Sequence, residues 1–179
     1  LSAGKCGTSG NNRIYIGQGV GEHATGAHGT FIGWYAGCRM IGGCNIAMGF
    51  CAMLCGVCGC DNIAIGACDT LKRITSGNHN IALGKSGLHR LTSGSENLGF
   101  GYQAGYNVTT GSYNVLLGHE AGDQLTTGSN NIVIGKDAAA SSGTVSNEIT
   151  FGDTNITKFR IPGINFVLKD NQGLSLIHI

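Results

Sequence analysis

Apolar and polar positions along this chain repeat one short motif: asparagine, aliphatic, variable, aliphatic, glycine. It reads Asn-Ile-Ala-Met-Gly ending at Gly49, Asn-Ile-Ala-Ile-Gly at Gly66 and Asn-Ile-Ala-Leu-Gly at Gly84. It continues as Asn-Leu-Gly-Phe-Gly at Gly101, Asn-Val-Leu-Leu-Gly at Gly118 and Asn-Ile-Val-Ile-Gly at Gly135. Weaker copies end at Gly17, Gly33 and Gly152, with Arg13, Gly29 and Glu148 in place of the asparagine. Successive key glycines are 16, 16, 17, 18, 17, 17, 17 and 17 residues apart, a series that chance does not produce. The two aliphatic positions have a period of two, the signature of a short strand with one buried face. Ile63 and Ile65, Ile81 and Leu83, Val115 and Leu117, and Ile132 and Ile134 are therefore expected to share the core side. The position between them (Ala47, Ala64, Ala82 and Gly99, then Leu116 and Val133) reads as a small outer column that lets another surface approach.

Ala-Gly follows the key glycine at Ala36-Gly37, Ala104-Gly105 and Ala121-Gly122, and an apolar residue with a Thr/Ser-Gly turn comes later in four units. The turns are Thr75-Ser76-Gly77, Thr92-Ser93-Gly94, Thr109-Thr110-Gly111 and Thr126-Thr127-Gly128. A unit thus holds two short extended stretches and two glycine corners. A helix is a poor alternative, since each interior glycine costs about 1 kcal/mol relative to alanine. Antiparallel hairpins would need successive units to alternate direction, whereas identical head-to-tail units stack in parallel. The fold predicted is all-β: a parallel β-solenoid or β-roll of about nine coils, each of 16–18 residues. At ~4.8 Å per coil its body is on the order of 40 Å long. Residues 1–143 form the repeats, 144–170 a final divergent coil and exit segment, and 171–179 the chain end. Stacking places Asn45, Asn62, Asn80, Asn97, Asn114 and Asn131 above one another, as a structural amide ladder.

Composition removes several alternatives. Glycine supplies 32 residues and proline one, without the every-third spacing of collagen. With 41% apolar and 12% charged residues there is apolar surface to bury, which argues against disorder. A net charge of +1, with lysine and arginine scattered, offers no footprint for nucleic acid. No apolar run approaches the ~20 residues of a membrane-spanning helix, so no membrane insertion is expected. The chain opens on Leu1 without a charged leader, and Leu174-Ser175-Leu176-Ile177-His178-Ile179 matches the translation of a sequencing-adapter end. The expectation is a fragment of translated environmental DNA, truncated at both ends.

The Asn-Ile-Ala-Ile-Gly unit resembles the repeats of bacteriophage tail-fibre proteins and, more distantly, the Ser-Val-Ala-Ile-Gly repeats of trimeric autotransporter adhesin heads. The resemblance covers Gly10 to about Gly143, and the 17-residue unit favours the tail-fibre comparison. The stretch from Ser146 to Gly163 is similar to the one that closes the repeat region in many phage fibres. What the resemblance implies is a homotrimeric, β-rich rod of a virion tail fibre that supports or presents binding to a host receptor or glycan. A secreted bacterial surface adhesin is the alternative. An ice-binding solenoid is a third reading, prompted by the threonines at 75, 92, 109 and 126.

Reactive chemistry is confined to eight cysteines, seven of them between Cys38 and Cys68. Cys55, Cys58 and Cys60 have C-x-x-C and C-x-C spacing and could offer three thiolates to zinc, with Cys51 or Cys44 as a fourth. Against that, Cys51 and Cys68 both stand two residues after a key glycine, so stacking alone brings them near each other. Packed thiols, or disulfides between coils or chains, are the commoner outcomes. The histidines at 23, 28, 79, 89, 119 and 178 show no shared column, and Glu120, Asp137 and Asp153 fall on turns without a recurring partner. No phosphate loop, nucleophile elbow or calcium nonapeptide is present, and neither a catalytic role nor a cofactor is expected.

Overall fold

The computed structural model describes residues 12–56 and 58–160; Cys6, His178, residues 161–170 of the exit segment and the chain end lie outside them. The nine motifs form nine three-residue strands: β1 Ile14–Ile16, β2 Thr30–Ile32, β3 Ile46–Met48, β4 Ile63–Ile65, β5 Ile81–Leu83, β6 Leu98–Phe100, β7 Val115–Leu117, β8 Ile132–Ile134 and β9 Ile149–Phe151. They make one parallel sheet in chain order, so the molecule is an all-β solenoid with eight full turns between its nine rungs. Register follows the repeat: Ile46 pairs with Ile63, Ile63 with Ile81 and Leu98 with Val115. The last rung, β9, lies beyond residue 143 and pairs with β8 like the others. The second extended stretch of each unit is not a paired strand. It stacks through single backbone bonds, such as Thr75 N–H to Thr92 O at 2.8 Å and Thr92 N–H to Thr109 O at 2.9 Å.

The strand faces are the reverse of the expectation. In β2 to β8 the middle residue is buried and the two flanking aliphatics are half-buried or exposed. Ala47, Ala64, Ala82, Leu116 and Val133 are wholly inaccessible, while Ile65, Phe100 and Leu117 are exposed. The column of small residues is thus an inner one. A coil of 17 residues encloses a narrow interior, already occupied by the asparagine side chains and by a facing apolar wall that includes Leu71, Ile74, Leu88 and Leu91. Only small groups fit opposite that wall.

Core volume is traded between the two walls. Where the strand centre is aromatic, at Tyr15 and Phe31, the facing residues are Gly21 and Gly37, and a Cβ on either would lie within 2.6 Å of the ring. Where it is Ala47, Ala64 and Ala82, the facing residues are Met53, Leu71 and Leu88, all fully buried. Where it is Leu116, the facing residue is Gly122, whose added Cβ would stand 2.7 Å from a leucine methyl. The crossover coil has glycine on both walls, Gly99 and Gly105, and Leu88 and Leu116 lean into it from either side.

The key glycines hold the coils together at close range. Gly49, Gly84 and Gly118 have φ of 127°, 119° and 138°, and a Cβ on any of them would overlap the carbonyl of the next key glycine. Two neighbouring columns reach left-handed φ without glycine. One precedes the ladder asparagine (Cys44, Asp61, His79, Glu96, Tyr113 and Asn130, φ 56–61°), and the other follows the key glycine by two (Tyr35, Cys51, Cys68, Ser86, Gln103, Glu120 and Asp137, φ 52–57°).

Candidate functional site

Three kinds of column reach the surface or brace it. The first is the outward side of the sheet. Its 18 positions, two per strand from Ile14 to Phe151, carry one threonine, Thr30; the rest are Ile, Leu, Val, Met or Phe, with no charge. Ile16 (58%) and Phe100 (51%) are exposed, and at the last rung Phe151 (55%) is exposed although Phe159 stacks on its ring at 6.1 Å between centroids. Nine rungs at about 4.8 Å make this strip on the order of 40 Å long. Soluble monomers seldom present a continuous apolar strip of that extent.

The second kind is the ladder, which ties successive rungs together in register. In Asn62, Asn80, Asn97, Asn114 and Asn131 the backbone N–H donates to the Oδ1 of the preceding ladder asparagine at 2.9–3.0 Å. Their Nδ2 groups donate to the same oxygen at 3.0–3.2 Å. Each Nδ2, and that of Asn45, also donates to the corner carbonyl of the following coil, from Gly59 O at 2.7 Å to Val145 O at 2.8 Å. These buried amides are satisfied on every side, as buried polar groups must be. The substituted motifs end the column: Arg13 Nη2 donates to Thr25 O at 2.7 Å, and Glu148 N–H donates to Asn131 Oδ1 at 3.0 Å. The Glu148 carboxylate accepts from Ser141 N–H (2.8 Å) and Thr150 Oγ1 (3.0 Å), and the Ser141 bond foremost holds its pKa below the ordinary value.

Two further ladders were not legible as such. Asn78, Ser95, Ser112 and Ser129 each donate a backbone N–H to the serine hydroxyl of the next coil at 3.0–3.1 Å. Thr75, Thr92, Thr109 and Thr126 donate their hydroxyls to the next coil's carbonyl at 2.8–3.1 Å. The hydroxyl protons that an ice-binding face would present to water are thus committed to the backbone.

The third kind carries the reactive side chains. Cys51 and Cys68 are adjacent in one column, whereas Cys58 and Cys60 lie at the opposite corner, where Cys58 N–H meets Thr75 O (2.8 Å) and Cys60 N–H meets Asn78 Oδ1 (2.8 Å). Cys38 and Cys55 line one cavity of about 250 Å³ with Tyr35, Arg39 and Leu54. The set Cys51, Cys55, Cys58 and Cys60 is not gathered. Among the described residues, the one group of three potential ligand side chains within 4.8 Å is His119, Glu120 and Asp137. Those three looked unrelated along the chain; stacking coils seven and eight joins them. Lys136 pairs with Asp137 there and, as the main cause, keeps its pKa low. His28 and His79 share the column before the asparagine, three coils apart. His89 stacks on Tyr106 with centroids 4.8 Å apart, and its Nδ1 meets Asp69 O at 3.1 Å. Burial foremost lowers its pKa, as burial foremost raises that of Cys38 and Cys51.

Compared with known protein families, curated proteins and solved structures, the chain has no match.

Proposed function

We propose that this chain is a structural segment of a fibre, built from parallel copies joined along the outward aliphatic face of the sheet, and that it supports or presents binding to a cell surface. The observation that carries this reading is that face: 18 positions over nine rungs, uncharged, and all half-buried or exposed. Burying an Ile- or Leu-sized side chain contributes roughly 1.5–3 kcal/mol, so a strip of this length is costly to leave in water. A second copy carries the same strip at the same rise per rung. The resemblance to tail-fibre repeats supports a trimer and a virion location, with a secreted adhesin as the alternative setting. Repetition suits the task, because length is set by copy number and each coil needs only its neighbours.

Sedimentation of the full chain tests the reading. Its mass is expected at three times the 18.4 kDa of one chain. The double variant Ile65→Lys/Leu117→Lys, which changes only face positions, is expected to sediment as a monomer. A wild-type chain that stays monomeric at tens of micromolar would overturn the proposal.

A further inference from the structure

The cysteine-rich coils hold a second device, independent of the fibre reading. β3 and β4 pair in register with Met48 opposite Ile65, so Gly49 faces Gly66, and Cys51 faces Cys68 two residues on. Both cysteines adopt left-handed φ, 56° and 54°, which keeps the stack regular through the turn. Neighbours in such a stack are about 4.8 Å apart, within the roughly 4.4–6.8 Å between Cα atoms that a disulfide spans. Farther along the same column, the ligand atoms of Glu120 and Asp137 lie within 4.8 Å of each other, so side chains of this column do converge between coils. Ser86 Oγ donates to Cys68 O at 2.8 Å and fixes that backbone from the next coil. Cys51 is buried at 5% exposure, whereas Cys68 is half-buried and open to small reagents.

We propose that Cys51 and Cys68 are an oxidisable pair that staples the third coil to the fourth when a small-molecule disulfide is present. The Cys68 thiolate attacks one sulfur of the oxidant, forms a mixed disulfide and releases one thiolate, which takes up a proton. Cys51 then loses its proton and attacks the Cys68 sulfur, expelling the second thiol. Two protein thiols are oxidised to one disulfide, and one oxidant disulfide is reduced to two thiols. The division of labour follows exposure: the accessible cysteine meets the oxidant and the buried one resolves the adduct.

The test is to treat the full chain with oxidised glutathione, block the remaining thiols, and digest without reduction using trypsin and an Asp-directed protease. Cleavage after Arg39 and Lys72 and before Asp61 and Asp69 separates residues 40–60, which hold Cys51, from 61–68, which hold Cys68. The expected product is a linked pair of these two peptides. It falls to background in Cys51→Ser and persists in Cys55→Ser, whose thiol is also close by. Should Cys51→Ser fail to fold, fragmentation of the wild-type linked pair assigns the bond directly. A link that survives in folded Cys51→Ser, a Cys68 that ends as a glutathione adduct, or full blocking of both thiols after oxidation overturns the proposal.

Discussion

Asn97 shows how much one residue of the ladder carries. Its backbone N–H and Nδ2 donate to Asn80 Oδ1, and Nδ2 also reaches Gly111 O. Its own Oδ1 accepts from the N–H and Nδ2 of Asn114. Replacing Asn97 by alanine leaves buried donors on Asn114 and a buried carbonyl on Gly111 without these partners. The expected loss is about 2–4 kcal/mol, from the cost of unsatisfied buried groups, measured by urea unfolding. Asn130→Ala, which loses only an exposed bond to Asn147 and the tolerance of asparagine for left-handed φ, serves as the control and is expected to cost less. The ladder was legible because asparagine recurs at a fixed spacing, and spacing becomes stacking in any solenoid. The left-handed columns were not legible. Cys44, Glu96 and Tyr113 adopt φ of 57–61° without being glycine, and only the stacking of one coil on the next imposes that conformation.

At the scale of the strand, a period of two establishes that Ile63 and Ile65 share a side and leaves open which side faces inward. The aliphatic pair looks like a core signal, and in a sheet backed by a thick core it would be one. Here the interior is too narrow, and the deciding information is spread over residues six apart: Ala82 with Leu88, Leu116 with Gly122. That compensation pairs volumes across the coil and has no signature in any single motif. It predicts the behaviour of a swap. Ala82→Leu alone overpacks against Leu88 and is expected to destabilise by about 1–3 kcal/mol, typical of forcing methylenes into a filled core. Adding Leu88→Gly reproduces the Leu116/Gly122 arrangement and is expected to recover most of that loss in thermal unfolding. A double variant less stable than Ala82→Leu would contradict the account of the core.

For the whole molecule, near neutrality and an uncharged strip point the same way. With a formal charge of +1, little long-range repulsion opposes the approach of a second copy along the sheet. The solenoid and its number of coils could be read from the repeat. The surface that would meet a second copy could not, because the sequence pattern assigned contact to the small column that turns out to be internal. The central claim is that the outward aliphatic columns form the seam between chains, and hydroxyl-radical footprinting of the full chain at tens of micromolar tests it most directly. Met48, Ile65, Leu83, Phe100 and Leu117 are expected to be protected, while Tyr113, exposed and outside the strands, is modified freely. The protection is expected to disappear in Ile65→Lys/Leu117→Lys. Face residues modified in the wild type as readily as in that variant would contradict the claim.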